Sequence, residues 1–391
     1  METQTMAVRG ADRREVLRTL ERVLPALGKA RIMEATEQVL VIVEETPTGG
    51  MLRLYATDLE ITLGESLEVP GEGLVPGGLG VPGTLLRNLL RKMEDGPLDL
   101  VSDGRMLTLK QGASQMRLVG MVPDDLPAMR EVLNEVPEVT YDTDPAAFRE
   151  ALDATMYYQA PRKPSEPMTR VHAVQLNPGP EGLLLSACDG HRAVIGRLRP
   201  AGADAALGDT VRMVAGDHVR RILTGLRQTD GEAPAQLGGT EARWHVTVGT
   251  WQAAVQWLQA TPFDFGMFLN PDLTLPEAQW DRVAMRAACD RAAVYDNRGG
   301  LGLTITCYGE HLTLHTRSTM AEDFFEDVPL CAAAEAEYPE TTTIRTVFLQ
   351  DALGLLEEGA VRARQQDKCG QLFLDDATGK ALHVIMPLFQ A

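Results

Sequence analysis

The sequence predicts an α+β protein made of three copies of one domain, each with two helices on a larger antiparallel sheet. Three observations predict it. An amphipathic helix opens each third of the 391 residues, and a second helix recurs near residues 83, 216 and 348. Short segments of alternating apolar residues, bounded by turn residues, fill the space between and after the helices.

The first helix is read over Ala11–Leu27, where Val16, Leu17, Leu20, Val23, Leu24 and Leu27 form one face at 3.6-residue spacing. Its counterparts start at Pro145 and Pro276. Proline suits a first helical position because no partner is needed for its missing N–H. Asp144 stands where an N-cap is expected. The second helices are read over Gly83–Met93 (Leu85, Leu86, Leu89, Leu90), Gly216–Gln228 (Val219, Ile222, Leu223, Leu226) and Phe348–Arg364 (Leu349, Leu353, Leu356). Strands are expected at Met51–Ala56, Leu183–Ala187, Leu301–Cys307 and Leu312–Thr316. After each second helix come further strands: Leu107–Leu109 with Met116–Leu118, Trp244–Val248 with Trp251–Leu258, and Gln371–Leu374 with Leu382–Leu388. Two polar connections, Arg130–Thr143 and Phe263–Leu275, separate the thirds. The expected domains are residues 1–130, 140–264 and 272–391, each large enough for its own core.

Hydrophobic residues make up 44% and charged residues 24%, the balance of a soluble globular chain. Apolar runs fall short of the roughly 18–20 residues of a membrane helix. Met1–Gly10 lacks the apolar stretch of a secretory signal, so no membrane partner is expected. Cys188, Cys289, Cys307, Cys331 and Cys369 form no CxxC pair. Neither a zinc ribbon nor a disulfide framework is predicted, and a cytoplasmic location with reduced thiols is expected.

The net charge of −18 argues against a surface that grips nucleic acid everywhere. The basic charge is concentrated, however. The six predicted helices hold 17 of the 37 Arg and Lys residues but only 12 of the 55 acids. The positions are Arg13, Arg14, Arg18, Arg22, Arg87, Arg91, Lys92, Arg149, Arg162, Arg220, Arg221, Arg227, Arg282, Arg286, Arg291, Arg362 and Arg364. Helices favour Arg in any case, but acids do not rise with it. A basic helix layer facing phosphate, with an acidic sheet layer outside, accounts for both.

Three motifs invite a chemical reading. Gly78-Leu79-Gly80-Val81-Pro82-Gly83 has the G-x-G-x-x-G spacing of a dinucleotide site, but the prolines before it break any parallel strand, so a turn before a helix is expected. His311 and His315 are four apart, yet Leu312 and Leu314 between them indicate a strand, on which they would lie roughly 13 Å apart, too far for one metal ion. Cys188-Asp189-Gly190-His191-Arg192 combines thiol, carboxylate and imidazole, but Asp-Gly is a turn signal and neighbours in sequence rarely converge on one atom. No P-loop is present. No catalytic residue, metal site or cofactor is therefore predicted.

The threefold repeat, Ala56-Thr57-Asp58-Leu59-Glu60-Ile61, Ala187-Cys188-Asp189-Gly190-His191-Arg192-Ala193-Val194, Val81-Pro82, Met121-Val122-Pro123-Asp124-Asp125-Leu126-Pro127 and Val384-Ile385-Met386-Pro387-Leu388 together resemble the bacterial DNA polymerase III beta subunit, the sliding clamp. The resemblance spans essentially the whole chain. It implies the DNA-clamp fold: a head-to-tail dimeric ring with helices lining a central hole and antiparallel sheets outside. It implies a processivity factor, not an enzyme, that encircles duplex DNA without reading sequence. The implied partners are the DNA polymerase III alpha subunit, the clamp loader and other proteins with clamp-binding motifs. A closed ring is held by topology, so weak screened phosphate contacts suffice despite the acidic charge.

The resemblance assigns three sets of residues. The DNA-facing set is Arg13, Arg18, Arg22, Arg87, Arg91, Lys92, Arg149, Arg220, Arg221, Arg227, Arg282 and Arg286. The client-peptide pocket is Val171, Gly190, His191, Arg192, Ala193, Pro262, Phe268, Val384, Met386, Pro387 and Leu388. The homodimer interface sets Met116 and Leu118 against Val294 and Tyr295, with the acidic Glu322 and Asp323 beside them. The loop after Pro262 reads Phe263-Asp264-Phe265-Gly266-Met267-Phe268 where the family carries basic residues, and Phe389 replaces the usual penultimate basic residue. Client preference is accordingly expected to be more apolar. Two rival readings remain: an enzyme built on the Asp189–His191 turn, and a clamp-derived scaffold that binds partners without encircling DNA.

Overall fold

The computed structural model describes residues 5–28, 33–137, 139–163, 166–179, 182–199, 210–227, 233–269, 276–296, 302–320, 322–334, 341–357, 359–365 and 370–388. The first repeat comprises β1 (Met6–Asp12), α1 (Arg13–Val23), β2 (Gln38–Thr46), β3 (Gly49–Thr57), β4 (Ile61–Val69), β5 (Gly77–Pro82), α2 (Gly83–Lys92), β6 (Pro97–Ser102), β7 (Met106–Gln111) and β8 (Ser114–Val119), and the short helix α3 (Met129–Leu133) follows it. The second comprises β9 (Val139–Thr143), α4 (Pro145–Met156), β10 (Ala173–Gly179), β11 (Gly182–Cys188), β12 (Arg192–Leu198), β13 (Arg212–Ala215), α5 (Gly216–Leu226), β14 (Ala235–Gly239), β15 (Arg243–Val248) and β16 (Trp251–Gln256), and α6 (Gly266–Leu269) follows. The third comprises β17 (Glu277–Asp281), α7 (Arg282–Asp296), β18 (Leu303–Cys307), β19 (His311–Arg317), β20 (Asp323–Ala332), β21 (Thr341–Ile344), α8 (Thr346–Leu355), β22 (Ala360–Gln365), β23 (Leu372–Asp376) and β24 (Ala381–Ile385).

Each repeat sorts its eight strands into the same two antiparallel sets. The first, sixth, seventh and eighth form one, and the fifth, second, third and fourth form the other. Two junctions join successive repeats in one way, the fourth strand pairing with the eighth strand of the next repeat: β4 with β16 and β12 with β24. The strands divide into two compact units. One holds the described residues of Met1–Arg149 and Asp217–Trp257; the other holds those of Glu150–Arg199, Asp209–Gly216 and Leu258–Ala391.

Local chemistry starts the helices. Asp12 caps α1 by accepting from the backbone of Arg14 (2.8 Å) and Glu15 (3.2 Å). Asp144 accepts from Ala147 N (2.7 Å) at the start of α4, as expected, and Asp281 accepts from Ala284 N (2.8 Å) in α7. In the first unit, α1 buries Val16, Leu20 and Val23, and Phe148 meets Trp244 edge to face at 5.9 Å. In the second, Met285, Cys289 and Ala292 of α7 and Leu349 and Leu353 of α8 pack on Leu303, Ile305, Leu312 and Leu314.

Several expectations are corrected. Residues 277–281, read as helix, are strand β17, because Ala278 and Trp280 alternate inward before the Asp281 cap. The last helix stops at Leu355 rather than Arg364, and Gly359 at φ 121° turns the chain into β22. Arg362 and Arg364 therefore sit on a strand, each 3.0 Å from Asp375. Arg162 lies beyond the end of α4. The glycine-rich run Gly77–Pro82 is an edge strand antiparallel to β2 rather than a turn, which removes the parallel-strand setting of a dinucleotide site. Leu301 and Phe389 lie outside the described residues.

Candidate peptide pocket, basic helices and open sheet edges

The β11–β12 turn positions Gly190, His191, Arg192 and Ala193. Asp189 accepts from the backbone N–H groups of His191 (2.9 Å) and Arg192 (3.0 Å), and Gly190 takes φ 92°. The turn is structural, since each Asp189 oxygen is spent on it or on Arg192. Burial also pushes the Cys188 thiol up in pKa, away from the thiolate a nucleophile needs. Ala193 lies opposite Val384 in the β12–β24 ladder, and Met386 N donates to His191 O at 2.9 Å, so the chain end is tied to the turn.

Arg192 is the hub of this region. Its guanidinium donates to Asp189 (3.0 Å), Asp351 (2.6 Å) and the Tyr157 carbonyl (2.6 Å), and it lies over the rings of Phe348 (4.4 Å) and Tyr158 (5.0 Å). The Tyr158 hydroxyl shares a 2.7 Å hydrogen bond with Nδ1 of His383, which is wholly buried. Burial drives the His383 pKa down to about 4, so the ring is neutral, and the same burial raises that of Tyr158. His191 stacks on Phe348 at 6.2 Å.

A cavity of about 110 Å³ opens beside the turn, lined by Arg170, Val171, Gln175, Cys188, Gly190, Phe263 and Phe265 among others. Gln175 holds Phe263 by two backbone hydrogen bonds of 2.8 and 2.9 Å. Arg170 lies over the Phe263 ring at 5.4 Å. Phe265 and Phe268 are buried with Ala193, Ile195, Phe373, Leu382 and Val384. Of the expected pocket residues, Val171 and Gly190 line the cavity; Ala193, Phe268 and Val384 form the adjoining cluster; His191 and Arg192 face Phe348 instead. Pro262 is exposed, Pro387 is buried, and Leu388 N donates to Thr343 O at 2.7 Å. Tyr158, Asp351, His383, Arg170 and Gln175 belong to none of the sequence motifs. The paired Tyr157-Tyr158 at a helix end and a His in an apolar strand were the available signals.

The basic helices are only partly available to phosphate. Arg22 is corrected out of the DNA-facing set: it is 9% exposed and pairs with buried Glu65 at 2.6 Å. Arg13 pairs with Asp95, Arg221 with Asp58, and Arg282 donates to the Leu353 carbonyl at 3.0 Å. Arg91 reaches Glu21 (2.8 Å), Arg220 reaches Asp217 (2.8 Å) and Arg18 lies 3.7 Å from Glu15. Lys92, Arg227 and Arg286 are exposed, and Arg87 and Arg149 half-buried.

At the expected interface, β8 ends its sheet, so among the described residues one side of its backbone has no strand partner. Met116 is half-buried, but Leu118, at 1% exposure, belongs to its own core and offers an interface only its backbone. Val294 is 63% exposed on α7, and Tyr295 sits 5.7 Å from Phe324 on β20. Glu322 accepts from Ser318 (3.3 Å), and Asp323 lies 3.6 Å from Arg317 and 3.5 Å from His315. His311 and His315 are on strand β19, as expected. Among the described residues no cluster of metal-ligating side chains occurs, and no helix is long and apolar enough to cross a membrane.

The threefold repeat, with helices against paired antiparallel sheets, defines the DNA-clamp fold. The chain matches the DNA polymerase sliding clamp of Pseudomonas aeruginosa with a TM-score of 0.84 and 19% identity over 98% of this chain and 100% of that one. It matches the DNA polymerase III beta subunit of Thermotoga maritima with a TM-score of 0.82 and 16% identity over 99% and 100%. A P. aeruginosa sliding clamp bound to griselimycin gives a TM-score of 0.85 at 18% identity, over 98% and 100%. In sequence, the chain is 24% identical over 204 residues to the beta sliding clamp of Synechococcus elongatus, which is 49% of this chain and 53% of that protein. The match thus spans about half the length of the curated relative. No protein-family model matches the chain. The resemblance read from the motifs holds: the chain is similar to the beta sliding clamp, in fold throughout and in sequence over half its length, and is strongly divergent from it.

Proposed function

We propose that two copies of this chain close head to tail into a ring around duplex DNA and tether the replicative DNA polymerase to it, with no chemistry of their own. The observation that carries this reading is the threefold β-α-β-β-β-β-α-β-β-β order, shared with sliding clamps. The three domains are residues 1–130, 140–264 and 272–391. Exposed Lys92, Arg220, Arg227 and Arg286 meet phosphate non-specifically, and the acidic remainder keeps the contact weak enough to slide. The cavity beside Gly190 and the aromatic cluster behind it take short peptide motifs of the polymerase III alpha subunit, the clamp loader and other clients. The protein acts in the cytoplasm and needs no cofactor.

The test is retention on DNA. Loaded by a clamp loader, the protein should stay on nicked circular DNA and run off the same DNA once linearised. Equal loss from both forms would refute encirclement.

A further inference from the structure

We infer that the sheet face covered by the connection after α3 carries a binding site for the guanidinium of an arginine side chain. The site is a cavity of about 220 Å³ within the first unit, large against the roughly 30 Å³ share of one water. Leu133, Val136 and Pro137 of the connection form its lip, and Gln236, His245 and Thr247 of β14 and β15 form its floor. It shares no lining residue with the cavity beside Gly190.

The repeat explains why this space is open. Thr62 lies opposite Ala254 at the first junction, and Ala193 lies opposite Val384 at the second. Thr62 and Ala193 close the same turn, paired with Thr57 and Cys188, so Ala254 corresponds to Val384. Along the ladders, His245 then corresponds to Phe373, Gly238 to Arg364, Thr247 to Asp375 and Gln236 to Arg362. Burial agrees, since Trp244 and Val246 lie in the core as Leu372 and Leu374 do. At the second junction Asp375 accepts from Arg362 and from Arg364, each at 3.0 Å, and Arg364 and Asp375 are buried. At the first, Gly238 and Thr247 supply neither guanidinium nor carboxylate. One junction thus holds a guanidinium on this sheet face, and the other has a cavity in its place.

The groups around the cavity are acceptors. Arg243 engages Oε1 of Glu135, while Oε2 faces Nε2 of His245 at 3.4 Å. His245 is 7% exposed, and its Nε2 makes no hydrogen bond among the described residues. Burial lowers the His245 pKa, so the ring is neutral and one of its nitrogens carries a lone pair. Gln236 donates its amide N–H to Asp142 at 3.3 Å, which leaves its oxygen to accept. Glu135 and Asp142 against Arg243 leave one negative charge. A guanidinium answers each feature: one positive charge, five N–H donors in a planar fork, and an aliphatic stem suited to Leu133, Val136 and Pro137. An anion would meet the Glu135 carboxylate, and an ammonium would satisfy fewer acceptors.

Titrated with N-acetyl-L-arginine amide, the full chain should show saturable binding by calorimetry, about 10-fold tighter than with the neutral isostere N-acetyl-L-citrulline amide. Glu135→Gln should weaken the binding about 10-fold. Gly238→Arg/Thr247→Asp, which copies the Arg364–Asp375 pair, should abolish it. Free L-arginine separates two sources of the same group. Tighter binding of the capped amide assigns the guanidinium to a residue of a partner protein; tighter binding of the free amino acid assigns it to a small molecule. No saturable binding of either arginine ligand, citrulline amide binding as tightly as arginine amide, or binding unchanged in both variants would overturn the site. Ring closure is read separately, by light scattering, and stands or falls without it.

Discussion

Asp58 and Arg221 are ion-paired where α5 meets the β3–β4 turn, and the pair is the counterpart of Arg192 and Asp351 where α8 meets the β11–β12 turn. Arg221 and Asp351 are each the sixth residue of their helices, and Asp58 matches Asp189 in the turn. Both aspartates accept from the two backbone N–H groups two and three residues on, at 2.9–3.0 Å. The charge is inverted, however. At the first junction the helix supplies the cation; at the second the turn supplies it and the helix answers with Asp351. Likewise Glu60 meets His218 of α5 at 3.2 Å where His191 stacks on Phe348 of α8. One backbone scaffold thus carries an ionic contact at one junction and an aromatic, cation-lined one beside the candidate pocket at the other.

The same correspondence exposes strain. Leu59 takes φ 80° where its counterpart Gly190 takes φ 92°. A left-handed Leu costs about 1–2 kcal/mol, and Leu59 is 44% exposed, so little burial is lost on removing its side chain. Leu59→Gly should raise stability by up to about 1 kcal/mol after the entropy cost of glycine. A shift of the urea midpoint at constant m-value measures it. A clear loss of stability would show that Leu59 contributes packing the backbone argument ignores.

Arg192 should tolerate no substitution. Arg192→Lys keeps the charge but cannot reach Asp189, Asp351 and the Tyr157 carbonyl together or stack on two rings. A loss of about 1–3 kcal/mol is expected, and more for Arg192→Ala, which strands two carboxylates. Chemical denaturation of both variants gives the order. The enzyme reading is tested alongside: His191→Ala should weaken client-peptide binding alone and abolish no turnover.

Much of this was legible in the sequence, and what was not has identifiable causes. The helices at α1, α2, α4 and α5 show in the spacing of Leu20, Leu86, Leu152 and Ile222 because one face alone is buried. Strands β17 and β22 read as extensions of their helices because Trp280 is only two residues from the α7 start and Val361-Arg362-Ala363-Arg364 follows α8 after a short turn; local pattern does not mark the break. The pocket hub was only half legible. Arg192 lies in a recognisable turn, but Asp351 is 159 residues away and Tyr158 is 225 residues from His383. Nothing local signals that such residues converge.

Stability should fall in mild acid because of His383. Unfolded, its ring titrates near 6.5; folded, near 4, because burial opposes the charge. Above about pH 7 both states are neutral and the ring adds no pH dependence. Between 6.5 and 4 the unfolded chain gains a proton that the folded chain refuses, so stability declines by about 3 kcal/mol in all and the decline ends below the folded value. Urea titrations at pH 7.5 and 5 should show it. The pair His383→Leu and His383→Leu/Tyr158→Phe should flatten the slope, the second without an orphaned hydroxyl. An unchanged slope would place the proton uptake elsewhere.

Whether the helices face DNA is decided by charge reversal at positions that hold no fold together. Arg91, Arg221, Arg22 and Arg13 are already engaged by Glu21, Asp58, Glu65 and Asp95, so reversing them confounds binding with stability. Arg220 is likewise engaged by Asp217, whereas Lys92→Glu and Arg286→Glu alter exposed side chains. Each phosphate contact removed should lower the salt slope of log K by about 0.9, with the melting temperature nearly constant. The double variant should slide off or load poorly while its dimer persists in light scattering. Undiminished loading and processivity would favour the scaffold reading, in which the clamp fold serves as a client platform and the bore carries no DNA.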